Sequence, residues 1–239
     1  MPDLEPPPVP EARVDFVLVH GTTQAPSGWD RLVAALSERG HHAHCLDLAE
    51  VPADAPATAY ARHATRWWAD RARAPVVVAH SGSGALLPAL AQALDASHQV
   101  WLAAYVPDFD GGACLLEDVG GDPAATVNQE WLGQDPSTDP VLAAYFLFHD
   151  CDLATLRWAL GTVRPFRAEA VYQHRPTADP RAIPSTYLLP VEDRTLRPDW
   201  MRRAAHERLG AACVELLGGH CPHVARPERV ADVLSGVRD

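Results

Sequence analysis

The sequence predicts an α/β fold in which a mostly parallel central sheet carries helices on both faces and a short, mainly helical cap. Short apolar runs recur at residues 13–19, 43–48, 75–79, 100–106, 185–189 and 212–217, and most are separated by stretches of helical length. Parallel strands covered on both faces read as continuous apolar runs, and the crossover between parallel neighbours is usually a helix. Small-residue turns stand at the carboxyl ends of two runs, His20-Gly21-Thr22-Thr23 and His80-Ser81-Gly82-Ser83-Gly84. Open parallel sheets place ligands at such ends.

Size and composition set the frame. A chain of 239 residues fills one core without division, and 47% hydrophobic against 21% charged residues describes a folded globule. Twenty basic against 31 acidic residues give a formal charge of -11. That balance argues against nucleic-acid or anionic-membrane partners. No apolar run is long enough to cross a bilayer, and the N-terminus lacks a basic segment followed by an apolar one, so a cytoplasmic protein is expected. Cys45, Cys114, Cys151, Cys213 and Cys221 are widely spaced and include no CxxC pair. They signal neither a disulfide framework nor a thiolate zinc site.

Residues 1–12 hold five prolines and read as a loose leader, since closely spaced prolines fit neither a helix nor a central strand. The first strand covers 13–19. Ser27 is expected to cap a helix through Trp29, Leu32, Val33 and Leu36 that closes near Arg39-Gly40. A strand at 43–48 and a helix over 60–74 lead to the run Pro75-Val76-Val77-Val78-Ala79. A helix over 83–96 follows, with Pro88 about one turn in and expected to bend it or remove one ladder bond. The strand at 100–106 ends at Pro107-Asp108.

The strand–helix rhythm breaks over 113–182, which is expected to form short helices laid over the sheet's carboxyl edge as a cap. The core then comprises 13–112 and 183–239. Trp131, Tyr145, Phe146, Phe148 and Trp158 are candidate walls of an apolar cleft, with core filling between cap and body as the alternative. His149, Asp150, Cys151 and Asp152 are possible metal ligands by type, but adjacent side chains rarely converge on one ion, so neither a metal nor any other cofactor is expected. Strands at 185–189 and 212–217, a helix over 198–209 and a closing helix over 227–237 complete the chain.

Ser81 is the candidate nucleophile. It stands in a small-residue turn between a strand and a helix, the local arrangement of the G-x-S-x-G elbow, with Ala79 and Ser83 replacing the two glycines. Asp193 and His220 follow at successive strand ends, in the chain order Ser, Asp, His. His220 would take the Ser81 proton, and Asp193 would hold the imidazole and stabilise its cation. Asp108 is a rival carboxylate at another strand end. Backbone N–H groups near Thr22, Thr23 and Gly82 are placed to bind a developing oxyanion. His80 is read as structural, His223 as supporting, and a Cys221–His dyad is disfavoured because sequence neighbours point apart.

These residues together resemble the α/β-hydrolase superfamily, and more narrowly its small esterase and hydroxynitrile-lyase-like group. The resemblance spans residues 16–237. It is carried by Phe16-Val17-Leu18-Val19-His20-Gly21 with Trp29, by His80-Ser81-Gly82-Ser83-Gly84, and by Gly219-His220-Cys221-Pro222-His223-Val224-Ala225-Arg226-Pro227. It implies Ser81 as nucleophile, His220 as base, Asp193 as acid, and Gly82 with Thr22 or Thr23 as oxyanion donors. A carboxylesterase acting on a small to medium apolar ester or related carbonyl compound is the implied function. Lyase chemistry in the same pocket, or ligand binding by a degenerate elbow, are the alternatives.

Overall fold

The computed structural model describes residues 13–71 and 74–237. The leader expected over 1–12 lies outside the described residues. Six strands form one sheet: β1 (Asp15–Val19), β2 (His42–Leu46), β3 (Val76–His80), β4 (His98–Leu102), β5 (Ser185–Pro190) and β6 (Ala212–Leu216). Their order is β2-β1-β3-β4-β5-β6 and all five pairings are parallel. β3 is therefore central, and all five of its residues are buried.

Side-chain alternation sends successive residues of these strands into two separate cores. Phe16, Leu18, Val76, Val78, Val100 and Leu102 pack with residues of α1 (Asp30–Glu38) and of the closing helix. Val17, Val19, Val77, Ala79 and Trp101 pack on the opposite face, against α2 (Ala57–Trp68) and α3 (Leu87–Ala93). Full burial of each large apolar side chain contributes about 1.5–3 kcal/mol. A charged substitution in β3 would therefore strike both the packing and the mount of Ser81.

Between β4 and β5 the chain makes five short α-helices, α4 (Leu115–Gly121), α5 (Pro123–Thr126), α6 (Pro140–Phe146), α7 (Leu153–Leu160) and α8 (Glu169–Gln173), with a 3-10 turn over Gln129–Trp131. They form the helical cap. α9 (Pro198–Arg203) continues into a π-helical turn over Ala204–Leu209, closed by Gly210 in the left-handed region. α10 (Pro222–Ala225) and α11 (Pro227–Gly236) end the described fold.

Several boundaries depart from the sequence expectation for local reasons. Ser27 caps nothing with its side chain, because Pro26 opens a 3-10 turn over Pro26–Trp29 and α1 starts only at Asp30. The expected helix over 83–96 divides into a 3-10 turn (Ser81–Ala85) and α3. Pro88 thus falls in the first turn of α3, where its missing N–H has no intrahelical partner to lose, so it removes no ladder bond. β4 stops at Leu102 rather than 106, since Ala103 takes a φ of 46° that ends the extended run.

Candidate active site

Ser81 follows the last residue of β3 and has a φ of 55°, a conformation that non-glycine residues rarely adopt. Such a residue persists only where its surroundings fix it. The Ser81 carbonyl accepts from the Tyr105 amide at 3.0 Å, and the Ser83 hydroxyl donates to the His20 carbonyl at 2.6 Å. Ser83 is fully buried, so the serine that replaces a motif glycine ties the elbow to the end of β1. The close approach falls one residue later: a Cβ on Gly84 would overlap the Tyr105 carbonyl.

The Ser81 hydroxyl lies 3.0 Å from His220 Nε2, and His220 Nδ1 lies 2.8 Å from Asp193 Oδ2. The carboxylate fixes the tautomer. With Nδ1–H donating to Asp193, Nε2 presents a lone pair to the serine proton. Asp193 Oδ1 accepts from the Thr195 amide at 2.7 Å, the Thr195 hydroxyl at 2.8 Å and the Leu196 amide at 3.1 Å. Both Asp193 and His220 are buried.

The His220 loop is held from two sides. Its carbonyl accepts from His80 Nε2 at 2.9 Å, and the Gly219 amide donates to Asp150 at 3.1 Å, while Asp150 also pairs with Arg226. A Cβ on Gly218, whose φ is 118°, would overlap that Asp150–Arg226 pair. Glycine is required there by both sterics and backbone.

On the other side of Ser81, the turn after β1 is stitched to the cap. Thr22 and Thr23 accept through their carbonyls from the Phe166 and Arg164 amides, at 2.7 and 3.1 Å. The Thr22 methyl sits 2.7 Å from where a Cβ on Gly82 would project, so turn and elbow touch. His20 accepts the Leu48 amide at Nε2 (3.1 Å) and donates from Nδ1 to the Gly21 carbonyl (3.0 Å). Burial lowers its pKa and favours this neutral form.

The family model described as "Alpha/beta hydrolase family" matches residues 16–233. The chain belongs to the alpha/beta hydrolase family. Its Ser81–His220–Asp193 relay is the serine hydrolase arrangement of that family. Among solved structures, a pyrethroid hydrolase, PytH, is 19% identical with a TM-score of 0.77, covering 94% of this chain and 97% of its own. Polyneuridine aldehyde esterase is 19% identical with a TM-score of 0.78, over 95% and 100%. An extracellular alpha/beta-hydrolase from a Paenibacillus species is 18% identical with a TM-score of 0.70, over 95% and 100%. At these identities the likeness is one of fold. No curated protein sequence matches the chain.

Within this hydrolase, the cap aromatics expected to line a cleft divide. Phe146 and Phe148 are buried in a cap cluster with Leu147, Ala159, Cys221 and Val224. Trp131 and Trp158 are partly buried against that cluster, and Tyr145 is exposed, its hydroxyl donating to Glu130 and its ring facing Arg194. Four of the five belong to this cluster or pack on it, Tyr145 touches the Phe146 ring edge-on, and none of them lines the hydrolase's 210 Å³ cavity. Asp108 caps its own turn by accepting from the Gly111 amide at 2.9 Å, and it is Asp193 that meets His220.

Sequence reasoning missed the work of the hydrolase's Thr195, Asp150 and Gln24. Thr195 Oγ1 lies 2.6 Å from His220 Nδ1; a hydroxyl two residues after the acid was the available signal. Asp150 clamps the His220 loop, His149 donates to the Glu192 carbonyl, and Asp152 accepts from the Thr155 amide at the start of α7. Gln24 Oε1 accepts from His223 Nε2 at 3.1 Å beneath the relay, with the Cys221 thiol 3.6 Å away. Burial pushes that thiol's pKa well up, so it is no thiolate nucleophile.

Proposed function

We propose that the protein is a carboxylesterase that hydrolyses small to medium apolar esters through an acyl-Ser81 intermediate. The observation that carries this reading is the 3.0 Å contact between Ser81 Oγ and a His220 whose other nitrogen is held by a buried carboxylate. As Ser81 attacks the ester carbonyl, its proton passes to His220 Nε2, and Asp193 stabilises the imidazolium. His220 then protonates the leaving alcohol. Water enters, gives a proton to the same nitrogen and attacks the acyl carbonyl; as the acid leaves, His220 passes that proton to Ser81 Oγ, which returns both residues to their starting state.

The Gly82 amide, together with that of Thr22 or Thr23, is the proposed oxyanion hole. Thr22 and Thr23 have amides that donate to no backbone acceptor among the described residues, and donors left free in this way suit a charge that develops only in the transition state. Residues 113–182 are the proposed cap domain over the core of 13–112 and 183–239. Trp131 and Trp158, half-buried on the cap, are the proposed walls for the apolar part of the substrate, with Tyr145 at the rim and Phe146 and Phe148 behind; what supports this is that the cluster they pack on includes Cys221, the neighbour of His220.

Among the described residues no helix is long and apolar enough to cross a membrane. The five cysteines are free, which fits a cytoplasmic setting.

A chain-length series of p-nitrophenyl esters tests the reading. Saturable turnover is expected, with an optimum among the shorter acyl chains and a loss of about 10⁴-fold or more in Ser81→Ala. Absence of turnover across the series, or equal rates in Ser81→Ala, would overturn it.

A further inference from the structure

The cavity of about 210 Å³ has walls from the start of α2, Ala85 at the far end of the elbow turn, the start of α3, the loop after β4 up to Leu115 at the start of α4, and the segment from α8 to residue 178. None of Ser81, Asp193, His220, Thr22, Thr23 or Gly82 lines it. An apolar cavity of about 150 Å³ accepts benzene, so this one holds a ring with a short chain attached.

Its lining is chemically one-sided. Small apolar residues, among them Ala57, Ala89, Ala113 and Ala170, make most of the wall, and Arg175 and His174 stand on one side of it. No aspartate or glutamate lines it, in a chain that has 31 of them. Among the described residues Arg175 forms no ion pair within 4 Å. Glu117 acts on it only from a distance, and the Glu117 carboxylate accepts from the Cys114 amide instead.

The guanidinium is also given room. A Cβ on Gly112 would stand 3.2 Å from Arg175 Nη1, and Gly112 has a φ of 66° that other residues rarely adopt. The loop after β4 therefore passes close beneath an unneutralised cation at the edge of an apolar hollow. A planar guanidinium without an acidic partner matches a carboxylate in two parallel hydrogen bonds.

We infer that this cavity is a second binding site, separate from the reaction centre, for a small apolar carboxylate whose hydrocarbon part fills the hollow and whose charged end meets Arg175. The ligand class covers both an acid released by ester hydrolysis and an unrelated carboxylate of the same size. What defines it is a ring or branched chain of roughly ten heavy atoms ending in a carboxylate, a size set by comparison with the benzene-sized cavity.

Calorimetric titration of the full chain with 3-phenylpropionate and with its neutral amide, 3-phenylpropanamide, tests the site. The acid is expected to bind at one site and about tenfold or more tighter than the amide, the preference of a charged over a neutral partner. Arg175→Gln should bring the acid down to the amide's level and leave the amide unchanged. Ala89→Phe, which fills the hollow from α3, should remove both while the near-ultraviolet circular dichroism stays that of the parent.

The titration is repeated after diethyl p-nitrophenyl phosphate has blocked Ser81. Retained binding supports a separate site, whereas loss of binding would place the acid in the reaction centre and overturn the inference. Equal affinity for acid and amide, or an acid affinity untouched by Arg175→Gln, would overturn it as well. Failure of the phosphate to label Ser81 would count against the esterase reading alone, and the titrations of the unblocked variants would still decide this site.

Discussion

Thr195 Oγ1 lies 2.6 Å from His220 Nδ1, so that nitrogen has two oxygens within reach, the second being Asp193 Oδ2 at 2.8 Å. The Thr195 proton is committed to Asp193 Oδ1 at 2.8 Å, which leaves a hydroxyl lone pair facing the imidazole. Acid, hydroxyl and imidazole close a ring of hydrogen bonds. When His220 becomes a cation, its Nδ1–H gains from both acceptors.

Thr195→Val keeps the shape and removes the oxygen. Hydrogen bonds to charged groups are worth about 1.5–3 kcal/mol, so kcat/KM is expected to fall roughly ten- to a hundredfold. The loss should sit in kcat rather than KM, because the bond strengthens only as the cation forms. Thr195→Ser should restore most of the rate. Parent-like turnover in the valine variant would show that Asp193 alone positions the imidazole.

The two strand-end aspartates make a second test. Asp193 touches His220, whereas Asp108 accepts from the Gly111 amide in its own loop. Asp193→Asn is expected to lower kcat by about 10⁴-fold through the wrong imidazole tautomer. Asp108→Asn should leave kcat within about twofold, since an asparagine Oδ1 can still accept from the Gly111 amide and the residue does not meet His220. A reversed pattern in steady-state kinetics would move the acid to Asp108.

Gly84 marks where the elbow has no slack. A Cβ there would overlap the Tyr105 carbonyl, and the Tyr105 amide itself holds the Ser81 carbonyl. Gly84→Ala must push that backbone away, and overpacking of this kind costs about 1–3 kcal/mol or more. In a chain of this length that corresponds to a Tm about 2–12 °C lower. Activity should fall further than stability, because the displaced Tyr105 amide is the donor that holds the Ser81 carbonyl. An unchanged melting curve would mean that the Tyr105 segment yields freely.

Much of this architecture was legible in the residues. Apolar runs placed the inner strands because strands buried on both faces have little room for polar side chains, and β3 is the clearest case; the edge strands β2 and β6 are largely unburied and carry weaker runs. The relay was legible because a parallel sheet brings successive strand ends to one edge, so order along the chain becomes proximity in space. Boundaries were less legible. β4 ends early at Ala103 through a backbone angle that alanine does not advertise, and Pro88 removes no ladder bond because a 3-10 turn moved the start of the helix. The cap was hardest, since Phe146 and Phe148 look alike as pocket walls and as core until the packing partners are known. Thr195 and Asp150 act through contacts 25 and 69 residues away, which no local pattern announces.

Two fully buried histidines beneath the relay govern the response to acid. His80 donates to the His220 carbonyl and His223 donates to Gln24, and each is left with an Nδ1 that has no partner. Burial first, and then the neighbouring imidazoles, lower the His80 pKa well below its usual value; burial and then His220 lower that of His223 to about 3. In the folded protein both are neutral over the range where the unfolded chain, with histidine pKa near 6.5, takes up protons. Their contribution to stability is thus fully present above about pH 6.5 and is lost as pH falls toward 3, because the unfolded state binds more protons. Each such histidine gives a slope of up to about 1.4 kcal/mol per pH unit. Urea unfolding at pH 7, 5.5 and 4.5 should show the midpoint dropping steadily. His223→Gln, which retains a side-chain donor for Gln24, should start lower at pH 7 and fall less steeply. Identical slopes in the parent, His80→Gln and His223→Gln would assign the acid sensitivity to other groups.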